Sequence, residues 1–181
     1  MSLWNGINEI TPRLFLCGVA ALQNQQSVYN KQIQFIINAT IDLRCPRWKG
    51  VEVVRVPVND VPHAQLSPYF DQVADLIHNK SENGIRCLVH CVAGVSRSSS
   101  LCIAYLMKYH RLTLRDAHTH VKSCRPIIRP NVGFWKQLIE YEKRLYGRNS
   151  VTMVQSSMGP IPDVYREEAR NMVPFPSRRR R

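Results

Sequence analysis

The part of this chain that most limits what it can become runs from residue 85 to residue 108. Residues 85–90 (Ile-Arg-Cys-Leu-Val-His) form a short apolar run, too brief and too closely bounded for a helix, and read as a buried strand. A loop containing Gly94 follows. Residues 98–108 are then apolar nearly all round, the pattern of a helix packed inside a domain. A buried strand that passes through a glycine loop into a buried helix points to a largely parallel α/β sheet, in which ligands bind outside the carboxyl ends of the strands. The rest of the chain has to supply neighbours for that strand and cover for that helix.

The neighbours are readable. Residues 7–10 and 13–17 are expected as two short strands around a Thr11-Pro12 turn, and residues 19–32, of mixed polarity, as a helix. Residues 34–39 form a β-branched run, and residues 51–58 make a further strand candidate that ends near Pro57, which a sheet interior tolerates poorly. Residues 59–65 carry turn residues and read as a loop. Ser67-Pro68 opens a helix with Phe70, Val73, Ala74 and Ile77 at helical spacing, ended by Gly84. Residues 113–123 and 131–146 are two amphipathic helices, the second closed by Gly147. Farther on, residues 158–163 read as a loop, residues 163–172 as a surface helix and residues 177–181 as a disordered basic tail. The expected fold class is α/β, with a central, mostly parallel sheet of about five strands flanked by helices.

A length of 181 residues suits one domain with its own core, and 44% hydrophobic against 21% charged residues is ordinary for a soluble protein. The absence of a membrane-length apolar run and of a secretory pattern makes a cytoplasmic protein, with the nucleus also open to it, the expectation. Of the six cysteines, Cys17, Cys87 and Cys102 sit in apolar stretches and read as free core thiols, and no Cys/His set has zinc-like spacing, so no metal or other cofactor is expected. The net charge of +12 is concentrated: between Lys108 and Lys136 there are seven basic residues against Asp116 alone. Such a field attracts anions, whether nucleic acid, anionic lipid or phosphoprotein. The plainer reading of the stretch is a solvated basic face, with Arg129 near a pocket.

The loop itself is His90-Cys-Val-Ala-Gly-Val-Ser-Arg-Ser98. Backbone N–H groups in such a turn, together with the positive end of the next helix, form an anion-binding nest suited to a phosphate monoester. Cys91 begins the nest, where the same donors favour a thiolate able to attack phosphorus. Arg97 returns to the loop mouth with a planar fork that holds two phosphoryl oxygens. Gly94 permits the turn, and Val92, Ala93, Gly94, Val95, Ser96 and Arg97 together are the phosphate-binding residues. Ser96 and Ser98 can both offer hydroxyls to the sulfur, Ser98 being the better candidate. His90 is expected to order the loop. Cys87 and Cys124 are the candidates for a protective disulfide with Cys91 under oxidation.

This loop resembles the Cys-x5-Arg signature of the protein tyrosine phosphatases, in the version carried by the dual-specificity phosphatases. The resemblance runs from residue 7 to about 147 through Leu14-Phe-Leu, Ile37-Asn-Ala-Thr, Val56-Pro-Val-Asn-Asp60, Ala104-Tyr-Leu-Met-Lys and Arg125-Pro-Ile-Ile-Arg-Pro-Asn-Val-Gly-Phe-Trp135. Ile161-Pro-Asp-Val-Tyr is similar to a subgroup of small, atypical members. The resemblance implies a tyrosine-phosphatase-like sheet and a two-step reaction through a phosphocysteine. It also implies an Asp on the loop after an earlier strand as proton donor. Asp60 matches that context, and the rival Asp42 does not. Asn131 is expected near the loop as an ordering residue. Residues 1–147 are then a catalytic domain and residues 148–176 an extension packing on or near it.

Three functions follow from different premises. The first is a phosphatase acting on phosphotyrosine and phosphoserine/phosphothreonine in proteins; the resemblance implies mitogen-activated kinases or their upstream kinases as partners. The second is the same chemistry on a phosphoinositide or an RNA 5′ end, favoured by the charge and disfavoured by the neutral Val92, Ala93 and Val95. The third is a non-catalytic phospho-binding module, disfavoured because Cys91, Arg97 and Asp60 are all present. Oligomeric state is not legible in the residues.

Overall fold

A computed structural model describes residues 6–157 and 159–171. The tail expected at residues 177–181, and the ends of two other expected elements at Met158 and Met172, lie outside the described residues.

Five strands form the central sheet: β1 (Asn8–Thr11), β2 (Leu14–Gly18), β3 (Ile33–Asn38), β4 (Glu52–Arg55) and β5 (Arg86–Cys91), in the order β1-β2-β5-β3-β4. β1 and β2 are antiparallel; the other pairings are parallel. The strand read first in the sequence therefore lies at the centre, between β2 and β3.

Between β2 and β3 the expected single helix is two pieces, a 3-10 turn over Val19–Gln23 and α1 (Gln25–Asn30). The break has a local cause: the Asn24 side chain accepts the Ser27 N–H and starts a new helix. The strand expected over residues 51–58 is shorter as well. Its partner β3 ends at Asn38, opposite Arg55; Val56 donates to the Asn38 carbonyl and the chain then turns, so that Val56 and Val58 enter the core. Pro57 has no N–H with which to continue a ladder.

α2 (Pro68–Glu82), α3 (Arg97–His110), α4 (Leu114–Cys124) and α5 (Val132–Tyr146) follow. Ser67 does not cap α2 with its side chain, whereas Thr113 caps α4 and Asn131 caps α5. After α5 the segment expected as a loop contributes to a hairpin, β6 (Met153–Ser156) with β7 (Gly159–Pro162). It is followed by a 3-10 turn at Asp163–Tyr165 and α6 (Arg166–Asn171). Pro160 and Pro162 are tolerated because a two-stranded ribbon has only edges.

The two faces of the sheet are unequal. Leu14, Leu16, Phe35, Ile37, Cys87 and Val89 face the large core formed with α2–α5. Phe15, Cys17, Ile36 and Leu88 face a smaller cluster closed by Leu22, Val28 and Trp48. The turn that follows the hairpin is held against α4 and α5: Tyr165 is buried, its ring is edge-on to Trp135 and its hydroxyl lies 3.2 Å from His118 Nε2. Arg115 pairs with Asp163 at 2.8 Å.

Candidate active site

β5 ends at Cys91 and α3 begins at Arg97, so five residues make the turn. Four consecutive carbonyls in that turn are engaged from outside it. Val92 O accepts from Val19 N–H at 2.9 Å, and Ala93 O and Gly94 O accept from the Arg125 guanidinium at 3.0 and 2.8 Å. Val95 O accepts from Arg129 N–H at 2.9 Å and from the Ser99 hydroxyl at 2.6 Å. Because C=O and N–H point to opposite sides of each planar peptide, carbonyls drawn outward leave the amides of the turn facing the space above Cys91. Gly94 sits at φ +67°, and its N–H donates to Cys91 Sγ at 3.2 Å.

The sulfur is buried and also lies 3.1 Å from Ser98 Oγ. Ser96 goes elsewhere. Its hydroxyl donates to Asp60 Oδ1 at 2.7 Å and accepts from Asn131 N–H at 3.1 Å, so of the two serines open to the sulfur it is Ser98, the better candidate, that reaches it. Val92, 49% exposed, forms part of the rim.

Arg97 is 7% exposed. One end of its fork donates to Val58 O at 3.1 Å, while its buried Nε has no hydrogen-bond acceptor among the described residues. Asp60 Oδ2 is 3.8 Å from that Nε, within ion-pair range but too far for a hydrogen bond. Asp60 Oδ1 takes a second donor from Asn131 Nδ2 at 2.8 Å. The carboxylate thus has one committed oxygen and one facing the guanidinium. His90, fully buried, places Nδ1 3.3 Å from the Cys91 carbonyl. Burial pushes its pKa down to about 4, reinforced by the nearby Arg55 and Arg97 charges against the bond to the Cys91 carbonyl, so the ring is neutral at pH 7.

All the residues expected at the site converge, and Asp42 is exposed in the loop after β3. Cys87 lies four residues before Cys91 on the same strand, roughly 13 Å away at ~3.3 Å per residue, which rules out the disulfide considered for that pair. All six cysteines are free.

Residues 14–144 match the family model of the dual specificity phosphatase catalytic domain. The chain belongs to the dual specificity phosphatase family. Dual specificity protein phosphatase 18 of Mus musculus is 50% identical over 170 residues, covering 94% of this chain and 90% of that protein. Dual specificity protein phosphatase 14 of Homo sapiens is 49% identical, covering 94% and 86%. The crystal structure of human DUSP28 superposes with a TM-score of 0.74 at 34% identity, over 77% of this chain and 94% of that one.

Several residues that shape this dual specificity phosphatase site carried no assigned role in the sequence reading. Arg125, fully buried, also reaches Asn8 Oδ1 at 2.7 Å and so ties the turn to β1. A Cβ on Gly18 would lie 2.8 Å from the Ala93 carbonyl carbon, and one on Gly133 would lie 1.8 Å from Pro62 O. Gly133 is what lets the Asp60 loop rest on α5. Gln137 then fastens the loop: its Oε1 accepts from both Leu66 and Ser67 N–H at 2.8 Å, and its Nε2 donates to Ala64 O at 2.9 Å. For Arg125 the available signal is an arginine at the start of a short proline-rich turn that carries only one other charge, Arg129. For Gln137 there was none, because its partners are about 70 residues away.

The basic stretch between Lys108 and Lys136 is not one solvated face. Lys108 pairs with Asp71 and Asp75, Arg115 with Asp163, and Arg129 with Glu168, while Arg125 is buried. Among the described residues no group of three or more His, Cys, Asp and Glu is placed to hold a metal ion, and no helix is long and apolar enough to cross a membrane.

Proposed function

We propose that this chain hydrolyses phosphotyrosine, phosphoserine and phosphothreonine in proteins through a phosphocysteine intermediate. The observation that carries the reading is a buried sulfur with Gly94 N–H and Ser98 Oγ as neighbours, beneath a buried arginine whose Nε–H is unclaimed. The inward amides of the turn and the Arg97 Nε edge hold the phosphoryl oxygens, Arg97 more tightly as charge spreads over them in the transition state.

In the first step the Cys91 thiolate attacks phosphorus, the P–S bond forms and the ester P–O bond breaks. Asp60 gives its proton to the leaving oxygen. With Oδ1 engaged by Ser96 and Asn131, the proton rides on Oδ2. In the second step water attacks the phosphocysteine and Asp60 takes the proton from that water. The P–S bond breaks, inorganic phosphate leaves, and the Ser98 hydroxyl donates to the departing sulfur. General acid catalysis of this kind is worth roughly 10²–10⁴-fold.

Hydrolysis of p-nitrophenyl phosphate near pH 6 tests the reading. Cys91→Ser should abolish turnover while retaining oxyanion binding. Asp60→Ala should slow phosphopeptides about a hundredfold or more and p-nitrophenyl phosphate, with its good leaving group, least. Equal rates for wild type and Asp60→Ala on phosphopeptides would overturn the assignment of the acid. Preference for a phosphoinositide or an RNA 5′ phosphate would overturn the protein substrate; the neutral Val92, Ala93 and Val95 favour the protein. The proposal extends to phosphorylated partners, mitogen-activated kinases and their upstream kinases among them, met in the cytoplasm or nucleus. A Cys91→Ser substrate-trapping pull-down from each fraction checks this.

A further inference from the structure

Once the pairs around Lys108–Lys136 are discounted, one basic group stands out. Residues 39–50, between β3 and β4, contain Arg44, Arg47 and Lys49 against a single carboxylate, Asp42. All four are exposed. Arg44, Arg47 and Arg55 line a cleft of about 810 Å³ whose floor is Asn38, Val53 and Val54. The loop is built rather than loose. Arg55 donates to the carbonyls of Thr40, Ile41 and Leu43, and Asn38 Nδ2 donates to Leu43 O at 2.8 Å. That scaffold fixes the backbone leading into Arg44, whereas Glu52, the nearest acidic residue on β4, is engaged with Lys80 at 2.6 Å.

The cleft also has a fixed relation to the active site. Asn38 is paired with His90 on one side and with Arg55 on the other, so Arg55 lies two strands from the residue that precedes Cys91. Two strand spacings amount to ~10 Å, which an extended peptide at ~3.3 Å per residue covers in about three residues. The Arg55 charge is felt at His90, whose proton it helps to repel. β4 is an edge strand, and Val53 on it is 38% exposed.

We infer that this cleft is a second anionic subsite for the same substrate. It would take a glutamate, aspartate or phosphorylated side chain about three to four positions from the phosphoresidue held over Cys91. Arg44 and Arg47 grip the anion, and Arg55, committed to the loop carbonyls, supplies field rather than a bond. The inference rests on the protein-phosphatase reading and adds a sequence preference to it.

The experiment uses the full chain and phosphotyrosine peptides identical except for Glu, phosphothreonine or Ala at the positions three and four residues from the phosphotyrosine. Wild type should show a kcat/KM about five- to tenfold higher for the Glu and phosphothreonine peptides than for the Ala peptide, with the gain in KM and shrinking at high salt. Arg44→Ala/Arg47→Ala should erase that gain and leave p-nitrophenyl phosphate turnover unchanged. Binding of the same peptides to Cys91→Ser, by fluorescence anisotropy, should follow the same order, and it reads the cleft without turnover. A gain for phosphothreonine alone would identify a second phosphate as the anion; a similar gain for Glu would identify acidic side chains generally. Equal affinity for all three peptides overturns the subsite, as does a gain that survives the double substitution. So does a loss in the double variant that appears only with phosphoinositide vesicles.

Discussion

The loop after β5 and the loop after β4 meet over the same sulfur but are held there by different means. The turn from Val92 to Ser96 is fixed largely through its own backbone. Its carbonyls are taken up by Val19, Arg125 and Arg129, and it fits against β2 because Gly18 and Gly94 have no Cβ. The Asp60 loop is fixed by side-chain polar groups from elsewhere: Ser96, Asn131 and Gln137. A cradle for phosphate must present many amides at once, and only a set backbone does that. A proton donor needs only one oxygen aimed, and a few side-chain bonds suffice while leaving the loop separable from the core.

The contrast can be broken at four points, taken from the largest expected effect to the smallest. Arg125→Met strands the buried Gly94 carbonyl, releases that of Ala93 and should cost about 3–5 kcal/mol in urea denaturation, with turnover lost even where the fold persists. Gly94→Ala forces a Cβ to 2.5 Å from the Cys17 carbonyl carbon, so about 2–4 kcal/mol should be lost together with oxyanion binding.

The third point is pH. Buried His90 and His118 both have pKa values lowered by burial to about 4, from an ordinary 6.5. The unfolded chain therefore binds more protons than the folded one in that interval. Stability should be complete above about pH 6.5 and fall as the pH drops toward 4, by on the order of 2–3 kcal/mol for each ring. Melting temperature against pH, with His118→Gln removing one share, checks both sign and size. A flat profile would mean that the rings are not buried neutral.

Asn131→Ser is the gentlest. Serine still caps α5 but no longer donates to Asp60. Stability should change by less than about 0.5 kcal/mol, while kcat on phosphopeptides drops about tenfold and p-nitrophenyl phosphate is affected less. If this variant unfolds as readily as Arg125→Met, the two loops are one unit and the distinction fails.

The same contrast explains what was legible in the residues. The central strand, its glycine turn and the helix beyond it were readable because their determinants are contiguous: an apolar run, Gly94, and Arg97 six positions from Cys91. Residues 19–32 and 51–58 were read as longer elements than they are, since one cap at Asn24 and one exhausted partner strand at Asn38 decide their ends. The sequence leaves Ser96 open beside Ser98 as a partner for the sulfur because spacing cannot tell which way a hydroxyl turns. The pairing of β6 with β7 is hidden in the sequence because its prolines argue against a sheet in general, though not against a two-stranded ribbon. Gln137 and Gly133 were invisible because the loop they hold is remote in sequence.

Arg125 ends as a matter of timing. It joins the Cys91 turn to Asn8, so the phosphate cradle needs one piece from near the start of the chain and another made 34 residues after the nucleophile. At ~5–20 residues per second of synthesis, the thiol of a growing polypeptide waits roughly 2–7 s before its cradle can be locked. An unfinished chain on the ribosome thus carries the cysteine without the means to arm it.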